Sequence, residues 1–206
     1  MALSKEQQEQ LTPSLALKEL KEGHQRFVDG TPITLSTSSL IKQTAKAQFP
    51  KAIVVSCIDS RVPVEQIFDQ NIGDIFVARV AGNFINTDIL ASIEYACVVA
   101  QSPLVIVLGH EGCGAVSSAC DGVELGHITD MLQAISPALK EAQKTSVQPF
   151  DSSNTSYVAS VTQYNVLLSI NKITQQSKLL KERLENGQLA ICGGIYQIND
   201  GTINWL

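Results

Sequence analysis

Two short stretches carry residue types that can do chemistry together. In SCIDSRVP, residues 56–63, Cys57, Asp59 and Arg61 occupy every second position. In VLGHEGCGAV, residues 107–116, His110 and Cys113 stand three apart. Two thiolates and one imidazole suit zinc, because a divalent cation offsets the charge of both sulfurs and accepts the nitrogen lone pair. Three protein ligands leave a fourth place for water, the pattern of a catalytic rather than a structural site. Structural sites more often close on paired Cys-x-x-Cys knuckles, and this chain has none.

Asp59 lies close enough to Cys57 to reach toward that fourth place. Arg61 can hold the carboxylate in a bidentate pair. Held so, Asp59 leaves the place open and can accept a hydrogen bond from water; released, it can bind zinc and block the site. Each stretch alone has a plainer explanation. His-x-x-Cys is commonly incidental, and Asp59 with Arg61 reads as a helix cap and a surface ion pair. Only a fold that joins the two stretches makes a site.

The surrounding pattern supplies such a fold. KAIVVSCID (51–59), DIFVARVAG (74–82), PLVIVLGH (103–110) and LAICGGIYQI (189–198) are β-branched, apolar runs that read as buried strands. Helical periodicity marks residues 14–28 and 87–101, the latter with Thr87 as N-cap. It also marks the run from Gly114 to Gly122, residues 128–143 with a break at Pro137, and residues 157–186 in two pieces. Residues 145–156 are a polar loop of turn formers. NDG and TINWL give a tight turn and a terminal strand. Strands alternating with helices predict an α/β fold with a mostly parallel sheet covered on both faces. The expected order is 2-1-3-4 with an antiparallel C-terminal edge strand, and helices flank the sheet. Residues 1–206 read as one domain, a helical arm over 1–45 and an α/β core over 46–206. In such sheets, ligands gather beyond the carboxyl ends of the strands where the order reverses. Cys57 closes the first strand and His110 the third, so these two meet, with Cys113 one short turn away.

Composition narrows the partners. The net charge is −5 and no long Lys/Arg run exists, which argues against nucleic acid and anionic membrane. Charged residues make up only 17%, which points to much buried surface or to an oligomer. No apolar run approaches a membrane span, and the first residues lack the pattern of a signal peptide. A cytoplasmic location is expected, or a periplasmic one if a signal peptide has been removed. Five cysteines without that signal favour reduced thiols or metal ligands over disulfides. Cys97, Cys120 and Cys192 read as small buried hydrophobes, and His24 and His127 as surface residues.

With these residues in place, SCIDSRVP and GHEGCGAV resemble the two signatures of the β-class carbonic anhydrases. The similarity runs from ALKELKEGHQRFVDG through GDIFVARVAGN and SIEYA to GGIYQINDG. The resemblance implies reversible hydration of carbon dioxide to bicarbonate and a proton on a zinc ion held by Cys57, His110 and Cys113. It places the family's Asp-Arg dyad on Asp59 and Arg61. It places the substrate pocket on Gln48, Phe76, Tyr95 and a backbone N–H near Gly114, at a dimer interface partly lined by a neighbouring subunit. A homodimer or homotetramer is therefore expected. One branch of the family carries a non-catalytic bicarbonate pocket of tryptophan, arginine and tyrosine. Arg79 and Tyr196 match it, but Val54 stands at the tryptophan position, so that switch is not expected here. Two other readings share the ligand set: a carbon disulfide hydrolase-like enzyme, and a zinc-stabilised module without catalysis.

Overall fold

The four apolar runs become parallel strands: β1 (Ala52–Ser56), β2 (Ile75–Arg79), β3 (Leu104–His110) and β4 (Ala190–Tyr196). β5 (Ile203–Trp205) returns antiparallel to β4 after the turn at Asn199–Gly201. A computed structural model of the chain, which describes residues 2–33 and 35–206, gives the order β2-β1-β3-β4-β5 expected from the sequence. Every residue of β1 and β3 is buried, as strands covered on both faces must be.

Alternate residues of those strands feed two cores. Val54, Leu104, Ile106 and Leu108 pack against Ala16 and Leu20 of α2 (Pro13–Val28) and Val64 and Ile67 of α4 (Val64–Ile67). Ile53, Val55, Val105 and Val107 face the other way. They meet α5 (Thr87–Glu94), α9 (Thr155–Gln176) and α10 (Lys178–Glu185) through Ile89, Ile93, Val166, Ile173 and Leu180. Each such side chain contributes about 1.5–3 kcal/mol through burial. A third cluster lies past the strand ends. It joins Cys57 and Cys113 to α6 (Gly114–Cys120), α8 (Ser136–Gln143) and the first half of α9. Gly109 lets α9 approach β3 closely, since a Cβ there would lie 2.7 Å from Val166 Cγ2.

Local chemistry moved some boundaries. α5 is capped by Asn86, not Thr87: the Asn86 side chain accepts from the Ile89 N–H at 2.8 Å. Its last turn widens into a π-helical segment, Tyr95–Val99, so 87–101 is not one regular helix. Pro137 falls in the first turn of α8, where its missing N–H costs nothing, and α7 (Gly126–Gln133) ends before it. Ser177 divides α9 from α10 and caps the latter by accepting from Leu180 N–H. Three short helices escaped the periodicity reading: α1 (Lys5–Glu9), α3 (Thr37–Thr44) and α4. α1 and α4 are too short to show two turns of pattern and α3 offers only Leu40 and Ile41 as apolar residues, although the Ser4–Gln7 capping box of α1 was visible in SKEQ. His24 is not at the surface. It is buried on the inner face of α2, with Nδ1 hydrogen-bonded to the Ile67 carbonyl at 3.1 Å, and that burial lowers its pKa. His127 is exposed as expected, Cys97 is buried, and Cys120 and Cys192 are half-buried. Among the described residues, no helix is long and apolar enough to cross a membrane.

Candidate active site

The sheet order places the ends of β1 and β3 side by side, with Ser56 opposite Leu108. Cys57 leaves β1, His110 ends β3, and Cys113 directly precedes α6 after a turn through Gly112. The two cysteine sulfurs and a ring nitrogen of His110 all lie within 4.8 Å of one another, and all three residues are buried. The sulfurs are 3.9 Å apart.

These donors fit a metal ion. His110 Nδ1 lies 2.9 Å from the Glu111 carbonyl, which can only accept, so Nδ1 carries the proton. The Nε2 lone pair is then left facing the sulfurs, and Nε2 is buried without a hydrogen-bond partner. Such an orphan is costly unless something accepts the lone pair. The sulfurs tell the same story. A hydrogen bond from Cys113 draws the Cys57 thiol well below its usual range, and the same bond, with burial, raises Cys113. One proton is shared because two thiolates this close repel; a divalent cation would replace it and let both ionise. The Gly82 N–H also points at the Cys57 sulfur, at 3.4 Å.

Asp59 and Arg61 form the mouth of the cluster. Arg61 Nε donates to Asp59 Oδ1 at 3.0 Å and Nη2 donates to Oδ2 at 2.8 Å, a bidentate pair. The Arg61 backbone N–H adds a third bond to Oδ1 at 2.9 Å. The Arg61 guanidinium therefore holds the Asp59 carboxyl well below the usual carboxylate range. Arg61 Nη2 also reaches the Gly112 carbonyl at 3.2 Å, tying the two signature loops together. Asp59 Oδ2 stands 3.9 Å from His110 Nε2, beside the cluster but beyond hydrogen-bond range.

The sequence reading gave Arg79 no part in this site, yet its side chain braces the first loop. Nε donates to the Cys57 carbonyl at 2.8 Å and Nη2 to the Asp59 carbonyl at 2.7 Å. Its position at the end of β2, next to β1, was the available signal. Val54 and Tyr196, the positions that accompany Arg79 in the family's second pocket, are buried in the core.

The other expected residues are not gathered around the sulfurs. Gly114 is, as the first residue of α6 directly after Cys113. Phe76 and Tyr95 meet edge to face, with ring centroids 6.4 Å apart, in a groove along β2 shared with Ile89 and Arg79. Gln48 is exposed and lines a different groove, with Phe49, Val99 and Arg183. Among the described residues β2 pairs only with β1, which leaves one edge of the sheet open beside Phe76 and Tyr95.

Known proteins match this chain in sequence and in fold. A family model described as carbonic anhydrase matches residues 52–203. Carbonic anhydrase 2 of Mycobacterium tuberculosis is 37% identical over 195 residues, 92% of this chain and 90% of that protein. The carbonic anhydrase of Mycolicibacterium smegmatis is 37% identical over 199 residues, covering 93% and 92%. Among solved structures, the β-carbonic anhydrase CcaA superposes with a TM-score of 0.74 at 27% identity, over 92% of this chain and 94% of that one. The matched region holds both signature loops and the four parallel strands, and the chain belongs to the β-class carbonic anhydrase family, as a carbonate dehydratase.

Proposed function

We propose that the protein hydrates carbon dioxide reversibly to bicarbonate and a proton, with zinc held by Cys57, His110 and Cys113. The observation that carries this reading is the buried donor triad with the Asp59–Arg61 pair at its mouth. Zinc bound there would supply Lewis acidity, lowering the pKa of water from about 15.7 toward about 7. Two thiolates donate more charge than neutral imidazoles, so this effect is weaker than on a three-histidine site.

The chain's own residues do the rest. Asp59, ionised and fixed by Arg61, accepts a hydrogen bond from the reacting water and orients it. Phe76 and Tyr95 offer an apolar wall suited to carbon dioxide, a small apolar molecule. The N–H near Gly114 and the Gln48 amide can donate to the oxygens on which charge develops. Gln48, Phe76 and Tyr95 serve one pocket only if a second copy of the chain completes it. The open edge of β2 and the 58% exposure of Tyr95 support a homodimer. Pairs of dimers extend the same assembly to a tetramer.

The test is stopped-flow carbon dioxide hydration on the purified protein with its zinc content measured in parallel. One zinc per chain and activity proportional to zinc content are expected. A fully zinc-loaded protein without hydration activity would refute the reading.

A further inference from the structure

α9 carries a buried polar row, Thr162, Asn165 and Ser169, within an otherwise apolar stripe. Thr162 spends its hydroxyl on its own helix, donating to the Val158 carbonyl at 2.9 Å. Asn165 does not. Its Nδ2 leaves the helix and donates to the Gly82 carbonyl at 2.7 Å, a buried bond across 83 residues of sequence. An asparagine is a poor helix former and costly to bury, so a long-range bond of this kind needs a purpose at its far end.

The far end is the loop after β2. The peptide joining Gly82 to Asn83 is clamped at both ends: Asn165 holds its carbonyl, and its N–H donates to the Val80 carbonyl at 2.9 Å. Gly82 itself has φ +79, a conformation open to glycine and strained for other residues. Glycine is also soft, so an unclamped Gly82 could swing its own N–H through a wide arc. In the clamped state that N–H points at Cys57 Sγ, 3.4 Å away.

We propose that Asn165 is a positioning residue for the metal centre: by fixing the Gly82–Asn83 peptide it aims the Gly82 N–H at the Cys57 sulfur and tempers the charge that sulfur donates to the metal. The proposal rests on Cys57 being a metal ligand, as the preceding reading holds. Partners one step removed from a metal commonly change its affinity by roughly 10–100-fold when lost. A thiolate that loses a hydrogen bond becomes a stronger donor, so its charge-transfer transition to a metal moves to lower energy.

The experiment uses the full chain loaded with cobalt(II). Sulfur-to-cobalt charge transfer is read in the near ultraviolet, and affinity is measured against a competing chelator. Asn165→Leu removes the donor and keeps the number and branching of the side-chain heavy atoms, and Asn165→Ala removes it by truncation. In either variant the band should move to longer wavelength, and cobalt affinity should fall roughly 10–100-fold, because a sulfur no longer held in place loses more than its stronger donation returns. Lys172→Met is the control: it removes the Lys172 Nζ bond to the Ile85 carbonyl, 2.8 Å, from the same loop but leaves Gly82 clamped, and the band should stay in place. A folded Asn165 variant with the wild-type band and affinity would overturn the proposal, as would an equal shift in Lys172→Met. An independent reading needs no variant at Asn165. In wild-type protein loaded with cadmium-113, the Gly82 amide proton should show scalar coupling to the metal, and its absence overturns the hydrogen bond itself. If Cys57→Ser keeps the wild-type band and affinity, the ligand assignment fails, and this proposal with it.

Discussion

Cys57, His110 and Cys113 are at most 4% exposed and converge within 4.8 Å inside one chain. Phe76 and Tyr95 lie on an open sheet edge, and Gln48 lines a separate groove. The contrast follows from where each set sits in the fold. The metal donors end adjacent parallel strands, so the sheet's own hydrogen bonds bring them together. The apolar residues lie on β2 and the π-helical turn after α5, at the border of the sheet, where Tyr95 is 58% exposed. One region is brought together by folding alone; the other, on the proposed reading, is completed by a second copy of the chain. Metal binding and substrate handling should therefore fail separately when each is disturbed.

The largest effects belong to the first region. Cys57→Ser, His110→Ala and Cys113→Ser should each lose zinc and lower hydration by more than roughly 10³-fold, beyond the loss from a single electrostatic donor. Zinc analysis beside the kinetic assay checks this. Full zinc occupancy in Cys113→Ser would remove that residue from the ligand set.

Arg61→Ala tests the border between the regions. It deletes both side-chain bonds to Asp59 and the bond to the Gly112 carbonyl, so Asp59 loses its side-chain anchor and becomes free to reach the metal. Activity should fall by about 10–100-fold with zinc retained, and X-ray absorption should show an added carboxylate oxygen at zinc. A pH signature accompanies this. Asp59 has a depressed folded pKa, so its pairing contributes stability above the ordinary carboxylate value of about 3.9. That contribution disappears as pH falls through the folded value. The stability gap between wild type and Arg61→Ala should thus be full at neutral pH and close in acid, as measured by urea unfolding. A gap that persists below the folded value would break this account.

Tyr95→Ala acts on the second region alone. It removes an edge-to-face partner of Phe76 and an exposed ring at the open edge, so activity should drop about two- to tenfold while zinc content stays at one per chain. Sedimentation should show a weaker dimer. Wild-type protein that sediments as a monomer at micromolar concentration with full activity would erase the contrast between the regions.

Asn86→Ala should have the smallest effect. It removes the cap of α5, the helix that leads into Tyr95, and should cost about 1 kcal/mol. Tm should fall by roughly 2–4 °C for a chain of this size, with metal affinity unchanged. A loss of metal affinity in this variant would show that the two regions are coupled.

Much of the site was legible because its signals are local. Cys57, Asp59, Arg61, His110 and Cys113 lie in two short stretches at the ends of apolar runs, and side-chain chemistry limits what such a set can hold. The parallel pairing was legible in the same runs, because parallel strands covered on both faces are apolar throughout, whereas the expected order 2-1-3-4 is set by how the crossovers pack and is met in the fold. α1, α3 and α4 were hidden because helices of one or two turns show too little periodicity. His24 was misplaced because a lone histidine on an amphipathic helix shows no sequence sign of the carbonyl awaiting it on the Ile67 side.

What remained was decided by contacts between distant segments. Arg79 braces the carbonyls of Cys57 and Asp59 only because β2 lies beside β1 in register. Asn165 reaches Gly82 only because α9 crosses the sheet next to the loop after β2, and the lone trace in the sequence was a polar residue in a buried stripe. The amino-acid sequence by itself determined the chemistry on offer, two thiols, an imidazole and a carboxylate–guanidinium pair at strand ends. Tertiary structure alone decided which lone pairs and N–H groups face that chemistry, because hydrogen-bond direction depends on backbone placement across 20 or more residues of separation, which no local pattern encodes.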